Sequence, residues 1–287
     1  MGRSRGRKNK SKKKKKKEKK PNWLELPLDV TAKILHNLGT VEVVKTACHV
    51  CSLWRNICKD PLMWRTIDIP ASPATSRSCS VNVCRFAVDQ SCGLLQEINI
   101  ELFGTDVLLK YIADRATHLR RLRLYKCWAV SERELIQVVK KLSLLEEIDL
   151  SFCYLSRHAL EVICRCCPHL KVLKFNKKRA YECFKNNNVA FAIAKTLHEL
   201  RHLQLLGNCL TNDGLLAILD GCPHLESLDL RACSNVDLSG ALGERCHKQI
   251  KKLLLPYEDL DDIYCNDIDE DGGNYYYDDE RDLWVSF

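Results

Sequence analysis

Two clusters of cysteine and histidine have the residue types and the spacing that could do chemistry. Cys48-His49-Val50-Cys51 offers thiol and imidazole groups of the kind that hold zinc, and Cys164-Arg165-Cys166-Cys167 could be redox-active or bind a metal. A structural zinc site needs four ligands in two spaced pairs, and no second pair follows the first cluster at a useful spacing. The second cluster has no activating partner at a defined distance along the chain. The sequence therefore predicts neither a metal site nor a cofactor.

The remaining reactive residue types do not form a catalytic set. The sequence has no phosphate-binding loop of the G-x-x-x-x-G-K-[ST] type and no G-x-S-x-G nucleophile motif. Its nine histidines are scattered, and several recur at regular intervals, such as His118, His169 and His224. That periodicity indicates a structural role, so we expect a protein that is not an enzyme.

Seven short sequence segments, which we call phrases, share one pattern and predict the strands of the fold. Each has apolar residues at positions 1, 4 and 6, and successive phrases begin 24 to 30 residues apart. Their first residues are Leu95, Leu119, Leu145, Leu170, Leu200, Leu225 and Ile250. This period is typical of leucine-rich repeats, in which each phrase forms a short strand and a helix follows. We therefore predict an α/β solenoid of about 7–8 repeats, with a curved parallel sheet and outer helices, whose first strand is a degenerate phrase at 64–69.

Residue types around the phrases support that prediction. Helix-capping residues follow most phrases, and Ser131 has capping-box spacing to Glu134. The predicted caps are Thr105, Ser131, Ser156, Asn188, Thr211 and Asp237. Cys127, Cys153, Cys209 and Cys233 fall at or next to the slot where such repeats place Asn or Cys, whose buried side chain can bond to neighbouring backbone. Because no export signal precedes them, we expect the seventeen cysteines to be reduced thiols.

Charge is segregated at the two ends of the chain. Residues 1–20 carry a net charge of +12 and residues 258–282 carry −11, so both segments are expected to be largely disordered. The basic arm is a nuclear-import signal or a solvated tail, and we expect a nuclear protein that is also found in the cytoplasm. The acidic end is predicted either to cap the last repeat, to bind a partner, or to fold back on the arm or the sheet. No stretch approaches the roughly 18 apolar residues of a membrane span.

Residues 22–64 are patterned as a compact helical unit and carry a motif. Leu26-Pro27-x-Asp29-Val30, Ile34-Leu35-x-x-Leu38, Val50-Cys51-x-x-Trp54-Arg55 and Asp60-Pro61-x-x-Trp64 together resemble an F-box. The resemblance implies a small three-helix unit that binds the Skp-family adaptor of SCF-type cullin–RING ubiquitin ligases. It implies that the adaptor-binding residues are Leu26, Pro27, Ile34, Leu35, Leu38, Val50 and Trp54. The alternative for each is core packing within the unit.

Substrate contacts are expected on the concave face, where the strand residues between the core positions point outward. The candidates there are Arg123, Tyr125, Asp149, Lys174, Asn176, Gln204, Asp229 and Arg231. The step from Leu170 to Leu200 is about five residues over the period, and its surplus loop adds Tyr181 and Phe184. The alternatives are a solvated surface and an ordinary tolerated loop.

The whole chain resembles F-box/leucine-rich-repeat proteins, most closely the plant Skp-interacting-partner group. The resemblance implies a substrate-recognition subunit with no catalytic residues, whose partners are the adaptor, through it the cullin and RING protein, and a protein substrate. A plain interaction scaffold is the alternative, and a nucleic-acid-associated protein is a further one that we do not expect. The predicted division is an arm at 1–20, an F-box at 22–66, a junction and first cap at 67–93, repeats at 94–257 and an acidic tail at 258–287.

Overall fold

A computed structural model describes residues 26–177 and 185–260, and within them all strands belong to one parallel sheet. The strands follow one another in chain order from β1 to β8. They are β1 Thr66–Ile69, β2 Glu97–Glu101, β3 Arg121–Tyr125, β4 Glu147–Asp149, β5 Val172–Lys174, β6 His202–Gln204, β7 Ser227–Asp229 and β8 Lys252–Leu254. This order, with each strand paired only to its sequence neighbours, is the solenoid that the phrases predict, and the fold class is confirmed.

The register explains why one sequence pattern recurs. Each of β2 to β8 begins at the third residue of its phrase and pairs residue for residue with the strand before it. In β3, Leu122 and Leu124 are buried while Arg121 and Arg123 are exposed, because successive side chains on a strand point to opposite faces. In the last phrase Leu253 is only half-buried, since no described repeat covers it.

Helices connect the strands and cover the other side of the core. They are α5 Arg77–Gln90, α6 Asp106–Arg115, α7 Glu132–Lys141, α8 Arg157–Cys166, α9 Asn188–Thr196, α10 Asn212–Gly221 and α11 Ala241–Gln249. Thr105, Ser131 and Ser156 accept hydrogen bonds from backbone N–H groups three residues later, so these three predicted caps are confirmed. No described helix is long and apolar enough to cross a membrane.

The other three predicted caps need correction. Thr211 precedes α10 but its side chain makes no capping bond, and Asn188 is the first residue inside α9. Asp237 lies four residues before the start of α11, and its carboxylate accepts from Ser239 N at 2.9 Å in the preceding turn. A side-chain cap requires the helix to begin directly after the residue, which is not so for Asn188 and Asp237. It also requires a hydrogen bond to the first turn, which Thr211 does not make.

A helical unit precedes the repeats and shares their core. It contains α1 Leu28–His36, α2 Thr40–Glu42, a π-helical turn Val43–Ala47, α3 Cys48–Val50, α4 Ser52–Cys58 and a 3₁₀ turn Pro61–Trp64. Trp64 is buried, donates from Nε1 to Cys58 O at 2.8 Å, and meets Phe86 of α5 edge-on at 5.9 Å. Asp68 N of β1 donates to Thr40 Oγ1 at 3.0 Å. The unit is therefore fixed to the first repeat by packing and by hydrogen bonds.

Side chains in the asparagine-or-cysteine slot tie each repeat to the one before it. The thiols of Cys127, Cys153 and Cys233 donate to backbone carbonyls of the preceding strand phrase, at 3.0–3.5 Å. In the phrase at Leu200 the slot holds Asn208, which donates to Phe175 O at 2.9 Å, and not Cys209 beside it. Cys209 is disulfide-bonded, which corrects the expectation of reduced thiols at this position. The other fourteen described cysteines are free.

Candidate functional site

The helical unit exposes five large apolar side chains. Leu28, Val30, Leu38, Val50 and Leu62 are 61%, 38%, 42%, 56% and 51% exposed. A small unit gains stability by burying such side chains, so apolar side chains that it leaves exposed are candidates for contact with a partner. We call these five residues the apolar face of the helical unit.

The predicted adaptor-binding residues separate into two groups. Pro27, Leu38 and Val50 are exposed, whereas Leu26, Ile34 and Trp54 are half-buried. These six retain surface for a partner, and their role stays a prediction. All six lie on the helical unit, in which α1 begins where Pro27 O accepts from Thr31 N at 3.0 Å.

Leu35 is the exception, because its side chain has 0% exposure. The spacing of α1 turns it into the core beside Val43 and Ala47, which are also buried. Of the two roles considered for Leu35, the structure favours packing, and we no longer expect it to touch a partner directly.

Three members of the apolar face were not among the predicted adaptor-binding residues, and one of them, Val30, belongs to the motif itself. Leu28 directly follows Pro27 in the first turn of α1, and Leu62 follows Asp60-Pro61 in the 3₁₀ turn. Both lie next to motif residues, so adjacency to the motif was the available signal.

The first cysteine cluster serves the local helix geometry. Cys51 Sγ accepts from Trp54 N at 3.5 Å and caps α4. Burial, and then a hydrogen bond with Cys48, raise the pKa of Cys58 to about 12. No group of three or more side chains placed to hold a metal ion occurs in the residues that the structure describes.

The second cysteine cluster lies in the core of the repeats. Burial raises the pKa of Cys164, Cys167 and Cys222 to about 12, so all three remain protonated thiols at neutral pH. A thiol needs thiolate character to act as a nucleophile or metal ligand, and these lack it. The arrangement favours packing over redox chemistry.

This gives a testable prediction on thiol reactivity. With iodoacetamide at pH 8, exposed Cys92 should be alkylated in the folded protein while Cys164, Cys167 and Cys222 stay unmodified. Their raised pKa, about 12, keeps the thiolate fraction negligible at pH 8, and burial also excludes the reagent. Peptide mass spectrometry reads the result, and the same reaction in urea, where all four should react, is the control. Alkylation of Cys164 as fast as Cys92 before unfolding would contradict the assignment.

The concave face carries a chain of polar contacts that crosses from strand to strand. Asn99 Nδ2 donates to Asp68 Oδ1 at 2.7 Å and to Glu101 Oε1 at 3.2 Å. Arg123 lies 3.7 Å from Glu101 and 3.5 Å from Asp149, and Lys174 lies 3.5 Å from the same Asp149 carboxylate. Strands about 4.8 Å apart bring residues of one register position within reach of each other.

Four of the predicted substrate-binding residues are buried. Asp149, Asn176, Asp229 and Arg231 are no more than 6% exposed. Asp149 accepts from Ser151, Asn176 donates to Ser151 Oγ at 2.8 Å, and Arg231 Nη2 donates to Asp229 at 2.8 Å. The alternative of a solvated surface therefore does not hold at these four positions, because side chains of the same and adjacent strands satisfy the polar groups, and their role in substrate binding stays a prediction.

The other described candidates keep accessible surface. The side chains of Arg123 and Lys174 are 46% and 37% exposed, and Tyr125 and Gln204 are half-buried. Tyr125 packs edge-on against Phe152 at 5.5 Å, with the Arg123 guanidinium 5.6 Å from its ring centre. Tyr181 and Phe184 lie outside the described residues.

Comparison with known proteins covers both the helical unit and the repeats. The F-box-like family model matches residues 23–70. The chain is 48% identical over 247 residues to F-box/LRR-repeat protein 23 of Arabidopsis thaliana, covering 84% of this chain and 54% of that one. It is 46% identical over 244 residues to F-box protein SKIP19 of the same plant, covering 84% and 80%. This chain thus spans about half the length of the first relative and four fifths of the second.

Among solved structures, the yeast Rad7 and Elc1 complex contains a similar chain. The match has a TM-score of 0.50 at 14% identity and covers 74% of this chain and 56% of that one. At this identity the likeness concerns the fold alone.

Proposed function

Because this chain belongs to the F-box/leucine-rich-repeat family, we propose that it is the substrate-recognition subunit of an SCF-type cullin–RING ubiquitin ligase. The F-box would bind a Skp-family adaptor, and through it the cullin and RING protein. The repeats would bind the protein to be ubiquitinated. Such a subunit supplies proximity and needs no active site of its own.

The observation that carries the proposal is the apolar face of the helical unit. Its five exposed apolar side chains all fall within the residues that match the F-box-like model. Burying such side chains against a partner is worth about 25 cal/mol per Å² of apolar area. Binding a partner on this unit would therefore be favoured by the burial of apolar area that the isolated chain leaves exposed.

The rigid junction supports a receptor rather than two tethered modules. β1 pairs with β2 over four residues, and Trp64 joins the helical unit to α5. A substrate on the concave face would consequently be held in a fixed direction relative to the adaptor. Fixed geometry raises the effective concentration of the substrate near the ubiquitin-carrying enzyme.

Native purification of the tagged chain tests the proposal. We expect a Skp-family adaptor and a cullin to co-purify with it. Adaptor without cullin would favour the alternative of a plain interaction scaffold, and the proposal is falsified if no adaptor is recovered. Proximity labelling with and without proteasome inhibition would then identify substrates as labelled proteins that accumulate only when degradation is blocked.

We also propose that the basic arm directs the protein to the nucleus. The support is its net charge of +12 over residues 1–20, the composition of an import signal. Residues 1–20 fused to a fluorescent protein should concentrate it in the nucleus. A fusion in which the lysines are replaced by glutamine is the matched control and should stay evenly distributed.

A further inference from the structure

The core of the repeats is incompletely covered beyond the last strand, β8. Leu253 and Leu255 occupy positions 4 and 6 of the last phrase, and both side chains are only half-buried. In each of the other six phrases, the residues at these two positions are no more than 2% exposed. Leu238 and Leu242, before and within α11, are likewise only partly buried against the core. We call these four residues the open end of the repeats.

The backbone of β8 has an unpaired edge at the same place. In a parallel sheet, the backbone groups of alternate residues point to opposite sides of the strand. Lys252 N donates to Glu226 O at 3.0 Å, and Leu254 O accepts from Leu230 N at the same distance. Lys252 and Leu254 therefore face β7, and Leu253 directs its N–H and C=O groups away from it. Neither group of Leu253 forms a hydrogen bond with a residue that the structure describes.

The first strand of the sheet is covered where the last is not. Ile67 and Ile69 of β1 are 0% exposed, because the helical unit packs over that end of the core. Thr40 of this unit also accepts a hydrogen bond from Asp68 N at the outer edge of β1, at 3.0 Å. Stacked repeats need a cover at each end, since an apolar end with an unpaired strand edge promotes aggregation. No segment within 26–177 and 185–260 supplies that cover beside β8.

Residues 283–287 have the sequence pattern of a strand that buries one face. Their order is Leu-Trp-Val-Ser-Phe, so apolar side chains occur at 283, 285 and 287. Because side chains alternate between the two faces of a strand, these three would lie together on one face. Tryptophan, valine and phenylalanine are also residue types that favour strands. None of the five residues is charged, so this segment is suited to an apolar surface.

We propose that residues 283–287 bind beside β8 as a ninth strand, parallel to it, and cover the open end of the repeats. The connection is long enough, because residues 256–282 exceed the crossover 230–251 between β7 and β8. A parallel connection requires about a dozen residues or more. Attachment to the same chain also gives the segment an effective concentration in the millimolar range. The proposal does not rest on the ligase role.

One register of this strand satisfies both the apolar and the charged positions. If the first and third residues of the segment lie opposite Leu253 and Leu255, core positions 4 and 6 continue into the ninth strand. Asp282 then lies opposite Lys252, whose exposed side chain forms no ion pair within the described part of the chain. Opposite charges on neighbouring strands stabilise such a pairing. Because Leu255 N and O already bond to Glu258 at 3.1 Å, the new backbone pairing involves Leu253.

Amide hydrogen exchange at Leu253 tests the proposal. The exchange rate is measured by NMR in the full chain and in a chain that ends at Asp282. We expect the Leu253 amide to exchange at least tenfold more slowly in the full chain, because the ninth strand accepts a hydrogen bond from it. The Leu122 amide, in the middle of the sheet, is the control and should exchange at the same rate in both chains. Equal rates at Leu253 in the two chains would overturn the proposal.

Two single substitutions in the full chain distinguish strand docking from a general effect of charge. Val285→Asp places a carboxylate on the face that would be buried, so the Leu253 amide should exchange as fast as in the shortened chain. Ser286→Asp adds the same charge on the other face and should leave the exchange rate within a factor of two of wild type. Equal effects of the two substitutions on Leu253 would overturn the proposal.

Protein concentration distinguishes the chain's own segment from a second copy of the chain. Protection supplied within one chain is independent of concentration, whereas protection supplied by another copy increases with it. We expect the Leu253 exchange rate of the full chain to be the same at two protein concentrations twentyfold apart. A rate that falls as the concentration rises would assign the open end to a second copy and overturn the proposal.

Discussion

Replacing Leu28 and Leu38 by aspartate should reduce affinity for a Skp-family adaptor more than 100-fold while the protein stays folded. Both side chains are exposed, at 61% and 42%, so the free chain loses little when they become polar. In the complex each carboxylate would be buried in an apolar interface without a partner, which costs several kcal/mol. A loss of about 2.7 kcal/mol already corresponds to 100-fold. Calorimetric titration of purified adaptor measures the change, and circular dichroism verifies the fold.

The control for this variant uses equally exposed apolar residues elsewhere. Val107→Asp with Leu144→Asp changes side chains that are 54% and 43% exposed on the repeats. This pair should leave adaptor affinity within a factor of two of wild type. Similar losses in the two double variants would show that general stability, and not the apolar face, controls binding.

Leu35→Asp would be a misleading substitute for that experiment. Its side chain is fully buried, so the variant would place an unpaired carboxylate in the core and unfold the helical unit. Loss of binding would follow whether or not Leu35 contacts the adaptor. This is why the exposed residues, and not the whole motif, discriminate between packing and recognition.

The second large effect is expected at the junction. Trp64→Ala should lower the free energy of unfolding by about 3–5 kcal/mol, the range for removing a buried tryptophan side chain. Trp64 is 2% exposed, packs edge-on against Phe86, and satisfies Cys58 O through its indole N–H. Removing it leaves a cavity between the helical unit and α5 and an unpaired buried carbonyl. Equilibrium urea unfolding measures the change.

Trp64→Phe separates the two contributions. Phenylalanine keeps an aromatic ring against Phe86 but cannot donate to Cys58 O, so the loss should be smaller than for alanine. The rigid link between unit and repeats would be in doubt if Trp64→Ala cost less than about 1 kcal/mol, the size of an ordinary surface effect.

The solenoid was predictable because its pattern is local and repeated. Leu122 and Leu124 are buried, as are Leu203 and Leu205, because they occupy positions 4 and 6 of their phrases. Seven such phrases make the period clear. Caps such as Ser131 were predictable from residue type and spacing. The second hydrogen bond of a capping box, from Ser131 N to the Glu134 carboxylate, does not form. Ser131 N donates instead to Asp106 Oδ1 of the preceding repeat, at 2.6 Å.

The candidate site was harder to predict because exposure depends on neighbouring repeats. Asp149 and Arg231 occupy outward-pointing strand positions, yet side chains of their own and adjacent strands cover them. Leucine is usually a core residue, yet Leu28 is exposed because its neighbours in the helical unit do not cover its side chain. The alternation along a strand predicts which way a side chain points, but packing against neighbouring residues decides how much of that side chain is accessible to solvent. The apolar face of the helical unit is for that reason a finding of the structure.

Hydrogen–deuterium exchange of the chain with and without a purified Skp-family adaptor tests the central claim most directly. We predict a 1:1 complex in which the adaptor slows exchange in α1, α3 and α4. Peptides from β3 and β6 should exchange at unchanged rates, because the concave face remains free for substrate. Protection of those strands with no change in α1, or no complex at all, would contradict the account.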